Sequence, residues 1–243
     1  MRRVLFFTGS GISAPSDIST FRDNEDGLWT KYDPMVVANM STFATNRELV
    51  FKFYNERRVA LKHVSPNKAH IEIGKIQQQY GTDAVLIFTQ NVDDLFERAN
   101  CHNVKHIHGD IKKVRCMTDP SHITEVGYSV VNHNDVCTVC GGDIKPAVVF
   151  FGEEAPLYWE THMTFNSADE NDLIVVIGTA GNVVPLQYIV GSHQRNLNGG
   201  RRVLCNLDDN DNIPYDFFDH KLFGNVVDRT DELMQIIHDW MDK

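Results

Sequence analysis

Long apolar runs are missing from this chain of 243 residues. No stretch approaches the roughly 18–20 residues needed to cross a bilayer as a helix, which argues against a helical membrane span. Basic charge is scarce as well: 23 Lys and Arg stand against 33 Asp and Glu, a net charge of −10. That balance lacks the electrostatic footprint of a nucleic-acid or anionic-membrane binder, so neither is expected as a main partner. An export signal is not expected either, because the apolar run after Met1-Arg2-Arg3 breaks at "TGSG", too short for an h-region. A soluble, cytoplasmic protein is expected. The cysteines are few and odd in number, at Cys101, Cys116, Cys137, Cys140 and Cys205. Without export they predict metal ligation or packing rather than a disulfide framework. Internal repeats and low-complexity tracts are absent.

What the chain does have is a 42% hydrophobic content, enough for the core of one large domain or of a domain with a smaller insertion. Short β-branched or apolar runs at Val4–Thr8, Ala84–Thr89, Val104–Ile107, Leu173–Gly178 and Arg202–Asn206 predict buried strands. Helical patterns lie between them, at about Arg47–Lys62, Lys68–Tyr80, Val92–Ala99, Val184–Gly199 and Asp231–Met241. This alternation predicts an α/β fold with a doubly wound, Rossmann-like parallel sheet, whose ligands sit at the carboxyl ends of the strands. Two segments depart from it: a helical insertion over about 30–65, and a Cys-, His-, Asp- and Gly-rich module over about 111–145. A single domain is therefore expected, with a large lobe of about 1–29, 66–110 and 146–243 and a small lobe built from the two insertions.

Gly9-Ser10-Gly11-Ile12-Ser13-Ala14 follows the first strand and satisfies G-x-G-x-x-G/A, a pattern that lets backbone approach a pyrophosphate at a helix start. Alone it is equally an ordinary glycine turn, and the acidic ribose ligand of a standard dehydrogenase, about 20 residues on, is not convincingly placed. The longer string is more specific. "GSGISAPSDISTFRD" followed by "GLW", then "TQNVDDLFERA", "HIHGD", "KPAVVFFGE", "GTAGNVVP" and "CNLDDND" in that order, resembles the sirtuins, NAD-dependent protein lysine deacylases. Three residues depart from the family pattern: Ser10 replaces its usual Ala, while Asp17 and Asn100 replace its usual Gly. Asp17 puts a carboxylate in the nucleotide loop at a position where positive φ is difficult for a residue with a side chain.

The resemblance implies that an acyl-lysine carbonyl oxygen attacks the anomeric carbon of the nicotinamide ribose and expels nicotinamide. His108 of "HIHGD" matches the catalytic histidine that activates a ribose hydroxyl, a task suited to imidazole near neutral pH. His106 is read as structural. Gln90, Asn91 and Asp93 match residues holding the ribose and the carboxamide, with Asn91 also a catalytic candidate; Asn91 or Asp93 equally suits a helix cap. By the same carry-over Gly9, Ser10, Gly11, Ser13, Ala14, Ile18, Phe21 and Arg22 contact NAD from the loop. Gly178, Thr179, Ala180, Asn206, Leu207, Asp208 and Val226 contact its phosphates, ribose and adenine. Val149, Phe151 and Gly152 pair with the substrate backbone as an added strand.

Tyr54 and Arg57, three apart in "FYNERR", share a helix face and can hold a terminal carboxylate. This Y-x-x-R pair, with Ala14, resembles the sirtuin subgroup that removes succinyl and malonyl groups; read alone it is a packing Tyr and a solvated Arg. The implied function is NAD-dependent removal of succinyl, malonyl and acetyl groups from protein lysines, giving nicotinamide and O-acyl-ADP-ribose. NAD hydrolysis or ADP-ribosyl transfer, and a non-catalytic NAD-sensing module, are the alternatives. Cys116, Cys137 and Cys140 follow a zinc-ribbon layout in which Asp119 stands where a fourth Cys belongs. Asp119 or His122 is expected to complete a structural zinc site, unless the module holds itself by packing. Cys101 and Cys205 are expected to be buried.

Overall fold

The structure is a computed structural model that describes residues 1–18, 32–191, 201–209 and 211–243. Among the described residues the strands are β1 (Arg3–Thr8), β2 (Val85–Thr89), β3 (Lys105–His106), β4 (Gly109–Cys116), β5 (Ile123–Glu125), β6 (Ile144–Val148), β7 (Asp172–Ile177), β8 (Arg201–Asn206) and β9 (His220–Phe223). The α-helices are α1 (Pro34–Val37), α2 (Met40–Phe43), α3 (Arg47–Leu61), α4 (Lys68–Tyr80), α5 (Leu95–Arg98), α6 (Tyr158–Asn166), α7 (Gln187–Val190) and α8 (Val226–Met241). They divide into two units: Met1–Ile18, Ser65–Ile107 and Pro156–Lys243 form the first, Ser19–Val64 and His108–Ala155 the second.

In the first unit six parallel strands run in the order β3-β2-β1-β7-β8-β9. The strand order reverses between β1 and β7, the position where doubly wound sheets bind their ligands. Side chains alternate across the sheet, as the strand period of two requires. Val4, Phe6, Val85, Ile87, Leu173 and Val175 face α4 and α8, where they meet Ile73, Ile76, Leu233 and Ile237. Leu5, Phe7, Phe88, Ile174 and Val176 face the other way, onto Phe165 of α6 and Ile189 and Val190 of α7. All these side chains are buried, which is why the strands read as continuous apolar runs rather than alternating ones. Cys101 and Cys205 lie in this core, where burial pushes both thiols up to about 12. His70 of α4 is buried edge-on against Phe96, and burial holds its imidazole down at about 3, so it is neutral.

The second unit carries α1, α2, α3 and an antiparallel sheet in the order β5-β4-β6. Arg58 is wholly buried; its guanidinium donates to the carbonyls of Ile111 and Ser129 at 3.1 and 3.2 Å and to the Asn55 carboxamide oxygen. These bonds tie α3 to β4 and to the segment before Cys137. Lys145 is buried as well, with Nζ 2.7 Å from the Val148 carbonyl, 2.9 Å from Glu153 Oε2 and 3.8 Å from the Phe150 ring centroid. Glu153 also accepts from the Phe150 N–H at 2.8 Å and from Arg115.

Several elements differ from the sequence-based expectation. β9 and α6 were not predicted, α5 is shorter than Val92–Ala99, and α8 starts five residues before Asp231. The expected Val184–Gly199 helix is α7 up to Val190, and residues 192–200 lie outside the described residues. The G-x-G-x-x-A hexad opens on two 3₁₀ turns, Ser10–Ile12 and Ala14–Ser16, rather than on an α-helix. Residues 146–155 and His108 fall in the second unit, because β6 pairs with β4 and the Val149 N–H donates to the His108 carbonyl at 2.9 Å.

Two of the three departures from the sirtuin pattern share a backbone state: Asp17 has φ 62° and Asn100 φ 63°. Both stand where left-handed backbone favours glycine, and Asp17 is exposed. Asp17→Gly is therefore expected to raise unfolding stability by about 0.5–1 kcal/mol, relief of the left-handed strain outweighing the added chain entropy. A urea titration of the two proteins checks this; a drop in stability would show that the carboxylate itself is anchored.

Candidate active site and metal centre

The first unit gathers polar side chains at the carboxyl ends of β1, β2, β7 and β8. Here the glycines answer to their own chain. A Cβ on Gly9 would lie 2.7 Å from the Gly178 carbonyl oxygen, one on Gly11 2.6 Å from Gly178 Cα, and one on Gly178 2.5 Å from the Ile12 nitrogen. Gly178 also has φ 61°, and its carbonyl accepts from the Gly11 N–H at 2.8 Å. The two loops at the switch point therefore touch through bare backbone, which is the physical reason for glycine at all three positions.

Around this contact lie two hydrogen-bonded groups. In one, Asn91 Nδ2 donates to Ser13 Oγ at 3.0 Å and the Ser13 hydroxyl donates to Asp93 Oδ2 at 2.9 Å. Asp93 Oδ1 accepts from the Leu95 N–H at 3.1 Å, but the N-cap of α5 is Asp94, so Asp93 stands one residue ahead of the capping position considered for it. All three side chains are buried, and burial, opposed by the Leu95 N–H and the Ser13 hydroxyl, pushes the Asp93 carboxyl upward. His106 completes the group: its Nδ1 donates to the Asn91 carbonyl at 2.8 Å and its Nε2 lies 2.8 Å from Glu97 Oε1. Sequence reasoning treated His106 as structural without finding this link; the signal was its place at the end of the strand, two residues ahead of His108. In the second group Gln90 Nε2 donates to Thr179 Oγ1 at 3.0 Å, and Asn206 Nδ2 to the Thr179 carbonyl at 3.0 Å.

Leu207 and Asp208 line a cavity of about 410 Å³ with Asp209, Tyr215, Lys221 and Phe223. Val226 opens α8 with its side chain in the core. Ser10, Ala14 and Ile18 lie along the loop after β1, Ala14 exposed; Phe21 and Arg22 fall outside the described residues. Carboxamides, hydroxyls and a carboxylate arranged at strand ends form a set of donors and acceptors that fits a ribose-bearing dinucleotide.

In the second unit His108 is half-buried in the turn between β3 and β4. Tyr54 and Arg57 project from α3. The Tyr54 ring is buried and stacks on Phe150, centroids 5.7 Å apart at 15°, and its hydroxyl is pushed upward chiefly by burial. Arg57 is half-buried, its guanidinium 5.3 Å from the Phe53 ring centroid. Phe151 departs from the added-strand expectation. Its N–H donates to the Ala38 carbonyl at 2.7 Å and its carbonyl accepts from the Met40 N–H at 3.0 Å, so its backbone is already paired within the unit. Gly152 has φ 86° and no atom within 4 Å of a would-be Cβ.

The metal module brings Cys116, His122, Cys137 and Cys140 together, their ligand atoms within 4.8 Å of one another. Cys116 and Cys140 Sγ are 3.5 Å apart, and Cys137 Sγ is 3.7 Å from His122 Nδ1. Zinc–sulfur bonds of about 2.3 Å in a tetrahedron set sulfurs about 3.8 Å apart, so three thiolates and one imidazole fit a structural zinc. The Asp119 N–H, with the Thr118 N–H and the neighbouring thiols, holds the Cys116 thiol down at about 6.

The Sir2 family model matches residues 9–185. An NAD-dependent protein deacylase of Helicobacter hepaticus is 39% identical over 97% of this chain and 97% of its own length. One from Campylobacter jejuni is 33% identical over 99% of this chain and 98% of its own. A solved Sir2 homologue in complex with NAD superimposes with a TM-score of 0.81 at 34% identity, covering 98% of this chain and 90% of that one. The six-stranded order, the glycine contact at its switch point and these likenesses along nearly the whole chain lead to one assignment: the protein belongs to the Sir2 family.

Proposed function

We propose that this protein removes acyl groups from protein lysines with NAD as co-substrate, and that succinyl and malonyl groups are preferred among its substrates. When bound, NAD supplies an electrophilic sugar carbon and a nicotinamide leaving group. The chain's own residues bind, orient and move protons. Gln90 and Asn91 recognise carboxamide and ribose through paired donors and acceptors, and Ser13, Asp93 and His106 fix how Asn91 is presented. Gly9, Ser10, Gly11, Ala14, Ile18, Gly178 and Ala180 line the phosphates, with Phe21 and Arg22 assigned from the sequence alone. Thr179, Asn206, Leu207, Asp208 and Val226 serve the adenosine end. His108 takes the proton from a ribose hydroxyl. The substrate peptide lies along Val149, Phe151 and Gly152; the Val149 N–H and both Phe151 backbone groups are engaged within the unit, so its backbone pairing falls to the Val149 carbonyl and to Gly152.

The observation that carries the acyl preference is the placing of Tyr54. Its ring stacks on Phe150, the residue after Val149, whose N–H holds the His108 carbonyl; Arg57 stands one helical turn along the same face of α3. A phenol with a guanidinium can hold a terminal carboxylate through charge-assisted bonds.

The test compares succinyl-lysine and acetyl-lysine peptides with the native chain and with Arg57→Met. A charge-assisted bond of about 1.5–3 kcal/mol predicts a loss of roughly 10–100-fold in succinyl kcat/KM. Acetyl turnover should change less than about threefold, since no charged bond is lost there. Equal losses on both peptides would remove the carboxylate clamp while leaving the deacylase reading in place. Mass analysis of the product tests that reading, with O-acyl-ADP-ribose expected and free ADP-ribose contradicting it.

A further inference from the structure

We infer that Asp119, at the position where the ribbon layout calls for a cysteine, does not ligate the metal but orients His122, which is the fourth ligand through Nδ1. Both oxygens of the Asp119 carboxylate are engaged away from the thiols. Oδ1 accepts from the Ser121 N–H at 3.0 Å and from the Ser121 hydroxyl at 2.7 Å, and Oδ2 lies 3.3 Å from His122 Nε2. The His122 N–H also donates to the Asp119 carbonyl at 3.0 Å, closing the turn that sets the ring against its partner. With Nε2 turned to a carboxylate, the proton sits there and the lone pair of Nδ1 points to the cluster, 3.7 Å from Cys137 Sγ. Carboxylate partners of ligating imidazoles act in this way, fixing tautomer and ring direction. The substitution of the ribbon cysteine is thus accounted for by two residues acting in series, an acid that holds and an imidazole that binds. The inference concerns the module alone and does not depend on which acyl group the enzyme removes.

The test uses the full chain loaded with zinc, read by zinc-edge X-ray absorption and by competition with a chromophoric chelator. The native protein and Asp119→Ala should both show three sulfur neighbours and one imidazole. Asp119→Ala should also bind zinc about 10–100-fold more weakly, with Asp119→Asn falling between. His122→Ala should lose the imidazole signature, and His122→Cys should restore one zinc per chain with four sulfurs. A native spectrum without imidazole, or an imidazole signature in His122→Ala, overturns the assignment. Unchanged zinc affinity in Asp119→Ala overturns the orienting role. Far-UV circular dichroism of each zinc-loaded variant confirms that the comparison is between folded chains.

Discussion

Replacing His108 by Ala is expected to lower kcat/KM for acyl removal by about 10²–10⁴-fold, the range that a positioned general base supplies. The argument starts from placement. His108 stands two residues past the end of β3, in a turn whose backbone is held by the Val149 N–H, so its ring is carried on a fixed main chain rather than on a mobile tip. The imidazole is half-buried rather than enclosed, so its removal should leave folding intact. NAD affinity should stay within about threefold of native, because the polar groups at the ends of β1, β2, β7 and β8 are untouched. Acyl removal and NAD binding thus separate in one variant. A loss below tenfold, or an equal fall in NAD affinity, would falsify the general-base role.

Glu153→Ala is expected to cost about 3–5 kcal/mol of unfolding free energy, the penalty for stranding a buried charge. Among the described residues, Lys145, at 1% side-chain exposure, would keep only the Val148 carbonyl and the Phe150 ring face as partners. The Phe150 N–H and Arg115 would lose their acceptor as well. Burial already outweighs the attraction of Glu153, holding the Lys145 ammonium down at about 8. The pair is therefore costly to break but of modest net worth when whole, and Lys145→Met combined with Glu153→Leu should destabilise less than Glu153→Ala alone. Chemical denaturation of the native, single and double variants checks this ordering. A single variant within about 1 kcal/mol of native would show that water reaches Lys145.

Much of the first unit was legible because its strands are buried on both faces. "VLFF", "VLIF" and "LIVVI" are the unbroken apolar runs that a covered parallel sheet demands. β9 escaped notice because His220 and Lys221 occupy half of a four-residue edge strand. α6 was missed because "YWETHMTFN" is rich in aromatic and Thr residues and has no side-chain cap. In the second unit β4 and β5 lie in charged, Gly- and Asp-rich sequence whose pairing is fixed by distant partners, and no local pattern announces them. The thiols could be read from spacing, but the choice between Asp119 and His122 required ring orientation. The double duty of Gly9 and Gly11 was hidden for a similar reason: their partner, Gly178, is remote in sequence and near only in space.

The position of β1 carries a consequence for biosynthesis. This strand lies inside the sheet, aligned from Arg3 opposite Asp172 to Thr8 opposite Ile177, and the Trp240 indole donates to the Arg3 carbonyl across 237 positions. At about 5–20 residues per second a ribosome takes roughly 10–50 s to supply that last partner. β2 is made early enough to cover one edge of β1, but the other edge of "VLFF" stays open, a sticky segment, until β7 follows.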